Sequence, residues 1–539
     1  MRQLSLQHKI RRRLRGDRTS FLHPKNPRYK WIVLANIMLG TFMAVLDATI
    51  VNVGLPKIMS SFGVSLSTIQ WVVTAYMLAM AAMLPTSGWL ADKFGYKKMY
   101  FWGLFLFTLG SLLCGLSGDE NSLIISRIIQ GLGAGTVQPL GMAIITREFP
   151  PKQRGVALGF WSIAAAASVS FGPLLGGYLV DNFSWSLIFD INVPVGIIAL
   201  FLTLLIQREF IHPNARKFDY IGFFSVIIFL PVLLYALSEG NSESNSSGWS
   251  APYILICFAI SIIGFIVFIT RELTIKNPLL NLRLLGNRNF GLANIFMLIF
   301  GLGMFGSTFL LPLFLQNSLG YTALQSGAVF LPVGIIQGGI APIVGIFSDR
   351  TNPKIPLIVG IFLLTASFFI NYNFSLMTER YFIDLSLYIR GLGMGMIFTP
   401  LSTLALVTIP REQMAQASSI MNTVRQIGGS LGVAILSTFL TTRTKFHSQI
   451  YGEAMNSNTQ TYHNVSQHIS NYIQHHAGSS LSTAMQQSHA LISQHVGKQA
   501  FVQGVNDDFF LAGMITLLGF IPILLSQSKK RKAEKEQAN

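Results

Sequence analysis

The chain has 539 residues, 51% of them hydrophobic and only 11% charged, and its mean hydropathy is +0.50. One soluble core cannot hide that much apolar surface, so a lipid bilayer must be the solvent for most of the chain. A net charge of +17 and a pI near 9.9 would point to nucleic acid in a soluble protein, but the bases cluster at the edges of apolar runs, which excludes that reading and turns them into markers of membrane orientation.

Residues 1–30 form a basic tail. The apolar run that follows is too long for a signal-peptide h-region and lacks a clear cleavage site, so it is expected to stay as the first helix. Runs of about 18 to 26 residues, long enough to cross the hydrocarbon as helices, fall at 31–54, 67–89, 98–117, 122–145, 155–180 and 185–206. Two more lie at 219–238 and 251–269, and six at 289–314, 324–347, 355–373, 382–408, 417–440 and 508–527. The reading is fourteen transmembrane helices and an all-α integral membrane fold.

With the amino terminus in the cytoplasm, the outward loops carry only Lys57, Arg380, Arg443, Lys445 and Lys498, and Arg127, Arg390 and Arg425 fall within spans. All other Lys and Arg lie in the inward segments and the two tails, so the positive-inside rule places both termini in the cytoplasm. Cys114 and Cys257 each sit inside an apolar stretch and are read as free thiols, with no disulfide framework or zinc cluster.

GWLADKFGYKK at 88–98 has an echo in GIFSDRTNPK at 345–354, and RIIQGLGAG ending at Gly135 has one in RGLGMG ending at Gly395. Two widely spaced echoes at nearly one offset imply duplicated halves, helices 1–6 and 9–14, with helices 7 and 8 inserted between them. The expected division is a tail (1–30), an N-terminal six-helix half (31–206), linker helices (207–270), helices 9–13 (271–440), an extracytoplasmic insert (441–507), helix 14 (508–527) and a second basic tail (528–539).

LDATIVNVGLP at 46–56, QWVVTAYMLA at 70–79, GWLADKFGYKK, the Arg127–Gly135 segment, SFGPLLGGYL at 170–179, INVPVG at 191–196, LPLFLQNSLGY at 311–321 and NTVRQIGGSLGVAIL at 422–436 occur in this order. Together they resemble the fourteen-helix drug:H+ antiporters of the major facilitator superfamily, whose parallel six-helix halves bind substrate between them near the midplane. The long polar segment between helices 13 and 14, followed by NDDFF at 506–510, is similar to that of EmrB-type permeases. Those permeases work in the inner membrane with a periplasmic membrane-fusion adaptor and an outer-membrane channel, so the resemblance implies both partners. The chain departs from the family pattern at Tyr96, where a base is usual, at Asn352, which replaces a glycine, and at Ser186 and Asp190, which replace an arginine and an uncharged residue.

A charge within a span costs several kcal/mol unless paired or hydrated, which singles out Asp47 and Arg127. They fall at one depth on helices 1 and 4, where an ion pair, direct or through water, lets Asp47 hold a proton or a cationic substrate while Arg127 favours its ionised form. The plainer alternative is a static pair that orders the helices. Asp190, at similar depth on helix 6, is a further candidate for proton transfer. Gly88, Asp92, Gly95, Lys97 and Lys98, with Asp349 and Arg350 in the second copy, form a candidate conformational latch in which Asp92 pairs with a base or a helix end. Gly172, Pro173, Gly176 and Gly177 resemble the antiporter signature, a bare helical face beside a weakened hydrogen-bond ladder; ordinary close packing by Gly172 and Gly176, as by Gly131 and Gly135, is the simpler account.

Residues 441–507 are rich in Gln, Ser, Asn and His but carry spaced apolar residues (Ile469, Ile473, Leu481, Met485, Leu491 and Ile492), which predicts two amphipathic helices outside the membrane. His463, His468, His475, His476, His489 and His495 match no tight metal-ligand spacing, so docking of a partner is the preferred reading and no metal or cofactor is expected. No phosphate-cradling G-x-x-x-x-G-K-[ST] is present, nor a nucleophile and base constellation, so neither ATP-driven transport nor an enzyme is expected. The function expected is proton-coupled export of hydrophobic or amphipathic compounds. The alternatives are export or symport of a specific metabolite or lipid-like compound, or a non-transporting receptor or scaffold, against which the charges buried in the membrane argue.

Overall fold

The protein is described here by a computed structural model covering residues 26–64, 66–211, 219–240, 245, 247–275, 278–308, 310–455, 460–478 and 480–527; the tails expected at 1–30 and 528–539 lie largely or wholly outside these residues. The first half contains α1 (Tyr29–Phe62), α2 (Leu66–Phe94), α3 (Tyr96–Gly115), α4 (Glu120–Glu148), α5 (Arg154–Asn182) and α6 (Leu187–Ile206). The linker pair is α7 (Tyr220–Glu239) and α8 (Pro252–Thr274). The second half contains α9 (Arg288–Thr308), α10 (Leu324–Arg350), α11 (Lys354–Asn371), α12 (Arg380–Leu406), α13 (Met414–Ala454) and α14 (Leu481–Leu518).

Among the described residues, twelve helices are long and apolar enough to cross a membrane. The two further spans expected from sequence correspond to α9, whose apolar stretch is the shorter Arg288–Met304, and α13. These two pack along one another inside the second half. The wall of α13 is polar, with Ser418, Ser419, Asn422 and Thr423 buried, and that is why composition alone undervalues it.

Glycines set how the helices pack within each half. On α4, Gly131 lies against the Tyr76 carbonyl of α2, where a Cβ would stand 2.5 Å from the oxygen, and Gly133 lies against the Phe107 backbone of α3. On α12, Gly391 lies against the Val333 carbonyl of α10 and Gly393 against the Leu364 backbone of α11. The two echoed sequences thus wedge their helices between equivalent neighbours, as duplicated halves require. Each glycine permits a backbone approach that any side chain would block.

The halves meet along α5 with α10 and along α2 with α13. The linker helix α7 lies on α2, where Trp71 stacks on Tyr235 at 5.6 Å between ring centroids, and Trp249 of the α7–α8 loop donates to Thr438 Oγ1 of α13 at 2.9 Å. Most of α8 faces outward, with Ile262 and Ile263 exposed for lipid to cover. Cys114 and Cys257 are free thiols.

The insert differs from expectation. Both expected apolar sets lie on helices, one spanning Gln460–Ala477, but the second belongs to α14, which starts at Leu481 and runs unbroken into the bundle, and α13 also continues without a break to Ala454. Neither proline nor a left-handed glycine interrupts α13 or α14, so nothing stops a helix at the membrane surface. The contact between Gln460–Ala477 and α14 is made by small residues: Ser466, Ser470, Ala484 and Ser488 are buried, and Ser488 Oγ donates to the Ser466 carbonyl at 2.9 Å. Of the expected apolar stripe only Ile492 is buried, Ile469 and Ile473 are half-buried, and Leu481, Met485 and Leu491 are exposed. Arg443 Nε and His447 Nε2 both meet Asp507 Oδ2, at 2.5 and 2.8 Å, and tie α13 to α14 at the base of the insert.

Candidate functional site

Five helices of the first half, α1, α2, α3, α4 and α6, contribute to one buried polar network. Asp47 from α1, Arg127 from α4 and Gln130 one turn further along α4 are 0%, 1% and 0% exposed. Arg127 Nη1 meets Asp47 Oδ2 at 2.5 Å and also donates to Gln130 Oε1 at 2.6 Å. Gln130 Nε2 donates to Asp47 Oδ1 at 2.8 Å and to Ser111 Oγ of α3 at 2.8 Å, and Asn192 Nδ2 of α6 approaches Asp47 Oδ1 at 3.5 Å. Arg127 Nε donates to the Val72 carbonyl of α2 at 2.9 Å. The ion pair expected from depth alone is therefore direct.

The local sequence explains the closeness. Gly110 faces Gln130, where a Cβ would stand 2.6 Å from its backbone nitrogen, so α3 can bring Ser111 within reach. Gly131 lets α4 settle on α2, which sets the Arg127 guanidinium over the Tyr76 ring at 4.1 Å and near Phe189 at 5.7 Å. Two opposite charges removed from water are tolerable only when the remaining donors and acceptors are satisfied, and Gln130 satisfies both partners at once. A proton on Asp47 would remove the charge that balances Arg127, so protonation and pairing compete at one carboxylate.

Gln130, Ser111, Tyr76 and Asn192 were not singled out from sequence. Gln130 and Asn192 lie inside quoted motifs, and the readable signal was a polar amide on an apolar helix. Asp190 is placed apart from this hydrogen-bonded set. It ends a short helical turn, Leu187–Asp190, is half-buried, and its carboxylate lies over Gly115 at the end of α3. From the same segment Phe189 and Asn192, not Asp190, reach Asp47 and Arg127.

The two echoed turns make reciprocal contacts between halves. Asp92 Oδ2 accepts from Gln416 Nε2 in the first turn of α13 at 2.9 Å, and Tyr96 donates to its other oxygen at 3.1 Å. This partner is a side-chain amide carried on the first turn of a helix of the other half. Asp349 accepts the backbone N–H groups of Gly155 and Val156, the first turn of α5, at 3.0 and 3.1 Å, where a carboxylate also meets the positive end of the helix dipole. Gly88 lies against the Ala415 carbonyl, with a Cβ placed 3.1 Å from it, and Ser419 donates to the Leu84 carbonyl.

Lys97 does something else. Its ammonium is buried and donates to the carbonyls of Leu204 and Gln207 at 2.6 and 2.9 Å, capping the end of α6 within its own half. Its backbone N–H donates to Glu209 Oε1 at 3.1 Å, and burial pushes the Glu209 carboxyl up. Gly95 is left-handed at φ +103° and faces that carboxylate. Lys98 and Arg350 are exposed. At Tyr96, where the family pattern has a base, Arg147 lies over the ring at 5.0 Å.

The glycine motif serves two interfaces. Gly172 lies against Thr49 Oγ1 of α1, whereas Pro173 meets Gly327 and Gly177 meets Leu324 of α10, all across the halves. Gly176 is buried on the same helix. Nearer the middle, Arg425 Nη2 of α13 donates to Gln138 Oε1 of α4 at 3.2 Å and to Asn422 Oδ1 at 2.8 Å. Arg390 occupies the place in the second repeat that Gln130 holds in the first, and donates to Thr308 Oγ1 at 2.8 Å.

A family model described as Major Facilitator Superfamily matches residues 37–433. The chain is 33% identical to an uncharacterized MFS-type transporter, YhcA, of Bacillus subtilis, over 95% of each chain. It is 32% identical to the multidrug export protein EmrB of Escherichia coli K12, over 91% of this chain and 94% of that one. Among solved structures it resembles the human organic anion transporter MFSD10, with TM-score 0.58 and 13% identity over 93% of this chain and all of that one. The proton:xylose symporter XylE gives TM-score 0.56 and 14% identity over 92% and 95%; both likenesses concern the fold alone. The family match, the relatives across nearly the whole length and the paired six-helix halves agree: the chain belongs to the major facilitator superfamily and is a membrane transporter, not an enzyme.

Proposed function

We propose that the protein exports hydrophobic or amphipathic compounds in exchange for protons. The observation that carries this reading is the buried Asp47–Arg127–Gln130 network, set in a chain whose relatives over nine-tenths of its length include proteins named for multidrug export. Asp47 is the coupling residue. Ionised, it holds Arg127; protonated, it releases the guanidinium to Gln130 and Val72, and the helices α1, α2 and α4 that meet there lose the contact that fixes them. A proton gradient supplies about 1.4 kcal/mol per pH unit and about 2.3 kcal/mol per 100 mV per charge, enough to drive such a step uphill for the substrate.

Asp92 with Gln416, and Asp349 with the first turn of α5, act as the two latches that hold one conformation and part in the other. They lie at the end of the bundle read as cytoplasmic from the distribution of Lys and Arg, with both termini on that side and the 441–507 insert opposite. The insert docks a periplasmic adaptor that leads to an outer-membrane channel. The test is release of protons by purified protein in proteoliposomes when a hydrophobic dye that is not itself a protonophore is added, with protein-free liposomes as the control. Transport with no proton movement, or import of the compound down an inward proton gradient, would overturn the reading.

A further inference from the structure

The linker hairpin carries two carboxylates that neither the ion pair nor the latches use. Asp219 immediately precedes α7, Glu272 lies in the last turn of α8, and they are 2% and 0% exposed. Each has one oxygen engaged: Asp219 Oδ1 accepts from Arg271 Nε at 3.1 Å, and Glu272 Oε2 accepts from the Leu280 N–H at 3.1 Å. The other two, Asp219 Oδ2 and Glu272 Oε1, are buried with no hydrogen-bond partner. Both converge on Gly222, where a Cβ would stand 2.7 Å from the Asp219 oxygen and 2.6 Å from the Glu272 oxygen. The glycine leaves the room that the two oxygens share.

Two ionised carboxylates here would repel at short range, and each orphaned buried acceptor is destabilising. The cation present, Arg271, is one-third exposed and bound to Asp219. Arg283, on the segment that follows, donates to the Leu273 and Ile275 carbonyls. The only other charge on α7 is Glu239 at its far end; Arg216, Lys217 and Lys276, in the flanking segments, lie outside the described residues. A single proton resolves both defects. It neutralises one carboxylate and converts an acceptor into a donor aimed at the other, as carboxyl pairs that share a proton do.

We propose that Asp219 and Glu272 form a proton-binding site that holds one proton between them and joins the base of α7 to that of α8. Loss of the proton sets two like charges against each other and opens the hairpin at this end. The site is separate from Asp47 and stands whether or not export is driven by protons.

The experiment is the thermal unfolding midpoint of the full-length protein, in one detergent, across a pH series from about 6 to about 9, for the wild type, Glu272→Gln and Asp219→Asn. A pair that binds a proton when folded loses stability as the pH rises through its titration. The wild-type midpoint is therefore expected to fall by several degrees across the series, and either amide variant, which leaves a single carboxylate with no like charge to face, to flatten that fall. If one variant does not fold, the other reads the same titration. A wild-type profile already flat, or amide variants that keep the full wild-type slope, would overturn the proposal. So would stabilisation of the wild type by sodium or calcium at the alkaline end that Glu272→Gln abolishes, because the pair would then be a cation site.

Discussion

The carboxylate of Asp349, at the end of α10, accepts the backbone N–H of Gly155 at the start of α5, so a side chain of one half caps a helix of the other. Asp92 performs the reciprocal task on the first turn of α13 through Gln416. Both contacts are made at the first turn of a helix of the opposite half, and the second copy of the turn, with Asn352 where a glycine is usual, still makes its contact. The tightness of the joint comes from glycine: a Cβ on Gly155 would stand 2.7 Å from the Gly345 carbonyl.

Asp349→Asn is expected to weaken this joint without unfolding either half. A carboxylate at a helix N-terminus is worth about 1 kcal/mol, so the ratio of the conformation closed at this end to the open one should fall about fivefold. Distances between spin labels placed across α5 and α10 would report it. An unchanged distance distribution in Asp349→Asn and in Asp349→Ala would mean that glycine packing alone holds the halves.

Asp47→Asn removes the titratable group while keeping size and a hydrogen-bond acceptor. Arg127 then remains buried without its counter-charge, a defect that costs about 3–5 kcal/mol, so the thermal midpoint should drop and proton-driven export should cease. Adding Arg127→Gln removes the uncompensated charge and should recover stability but not transport. If the double variant recovers both, the pair is a static element; if Asp47→Asn still transports at the normal rate under a pH gradient, Asp47 is not the coupling residue.

Gly172 faces the Thr49 hydroxyl so closely that a methyl group has no space unless Thr49 moves. Gly172→Leu should abolish transport and destabilise the protein, because overpacking of a close helix contact costs about 1–3 kcal/mol or more. Gly172→Ala should be milder and should be rescued by Thr49→Ala, which empties the same space. Transport assays on the three variants decide it, and near-normal activity in Gly172→Leu would show that α1 and α5 are free to separate there.

What the sequence makes legible follows from what the bilayer enforces. Long apolar runs and the repeated Gly-rich motifs mark spans and halves, basic edges give an expected orientation, and Asp47 and Arg127 stand out because charge is costly at that depth. Helix ends beyond the membrane are not marked in the same way: α1 runs on to Phe62 and stops only at Gly63, left-handed at φ +66°, and α13 runs on to Ala454 because no breaker stops it. Gln130 escaped notice because a neutral amide carries no penalty large enough to be conspicuous, and its role depends on Gly110 and Ser111 of another helix. Asp219 and Glu272 lie at span edges, where acids read as ordinary loop charge; only their convergence on Gly222 sets them apart.

The insert yields the last prediction. A few residues would join α13 to α14, yet both helices continue outward, fastened at their base by Arg443 and His447 on Asp507, and carry the helix Gln460–Ala477 packed through serine and alanine. That packing buries small residues and leaves Leu481, Met485 and Leu491 facing out, an arrangement that spends apolar side chains on solvent unless a partner covers them. Replacing 455–492 by a short Gly/Ser linker keeps the Arg443, His447 and Asp507 base and removes both the helix Gln460–Ala477 and the exposed Leu481, Met485 and Leu491. Transport in proteoliposomes should then stay near normal, whereas drug resistance of cells and co-purification of a membrane-fusion adaptor should be lost. Full resistance with adaptor still bound would free the insert of a docking role, and collapse of transport in proteoliposomes would assign it to the permease core.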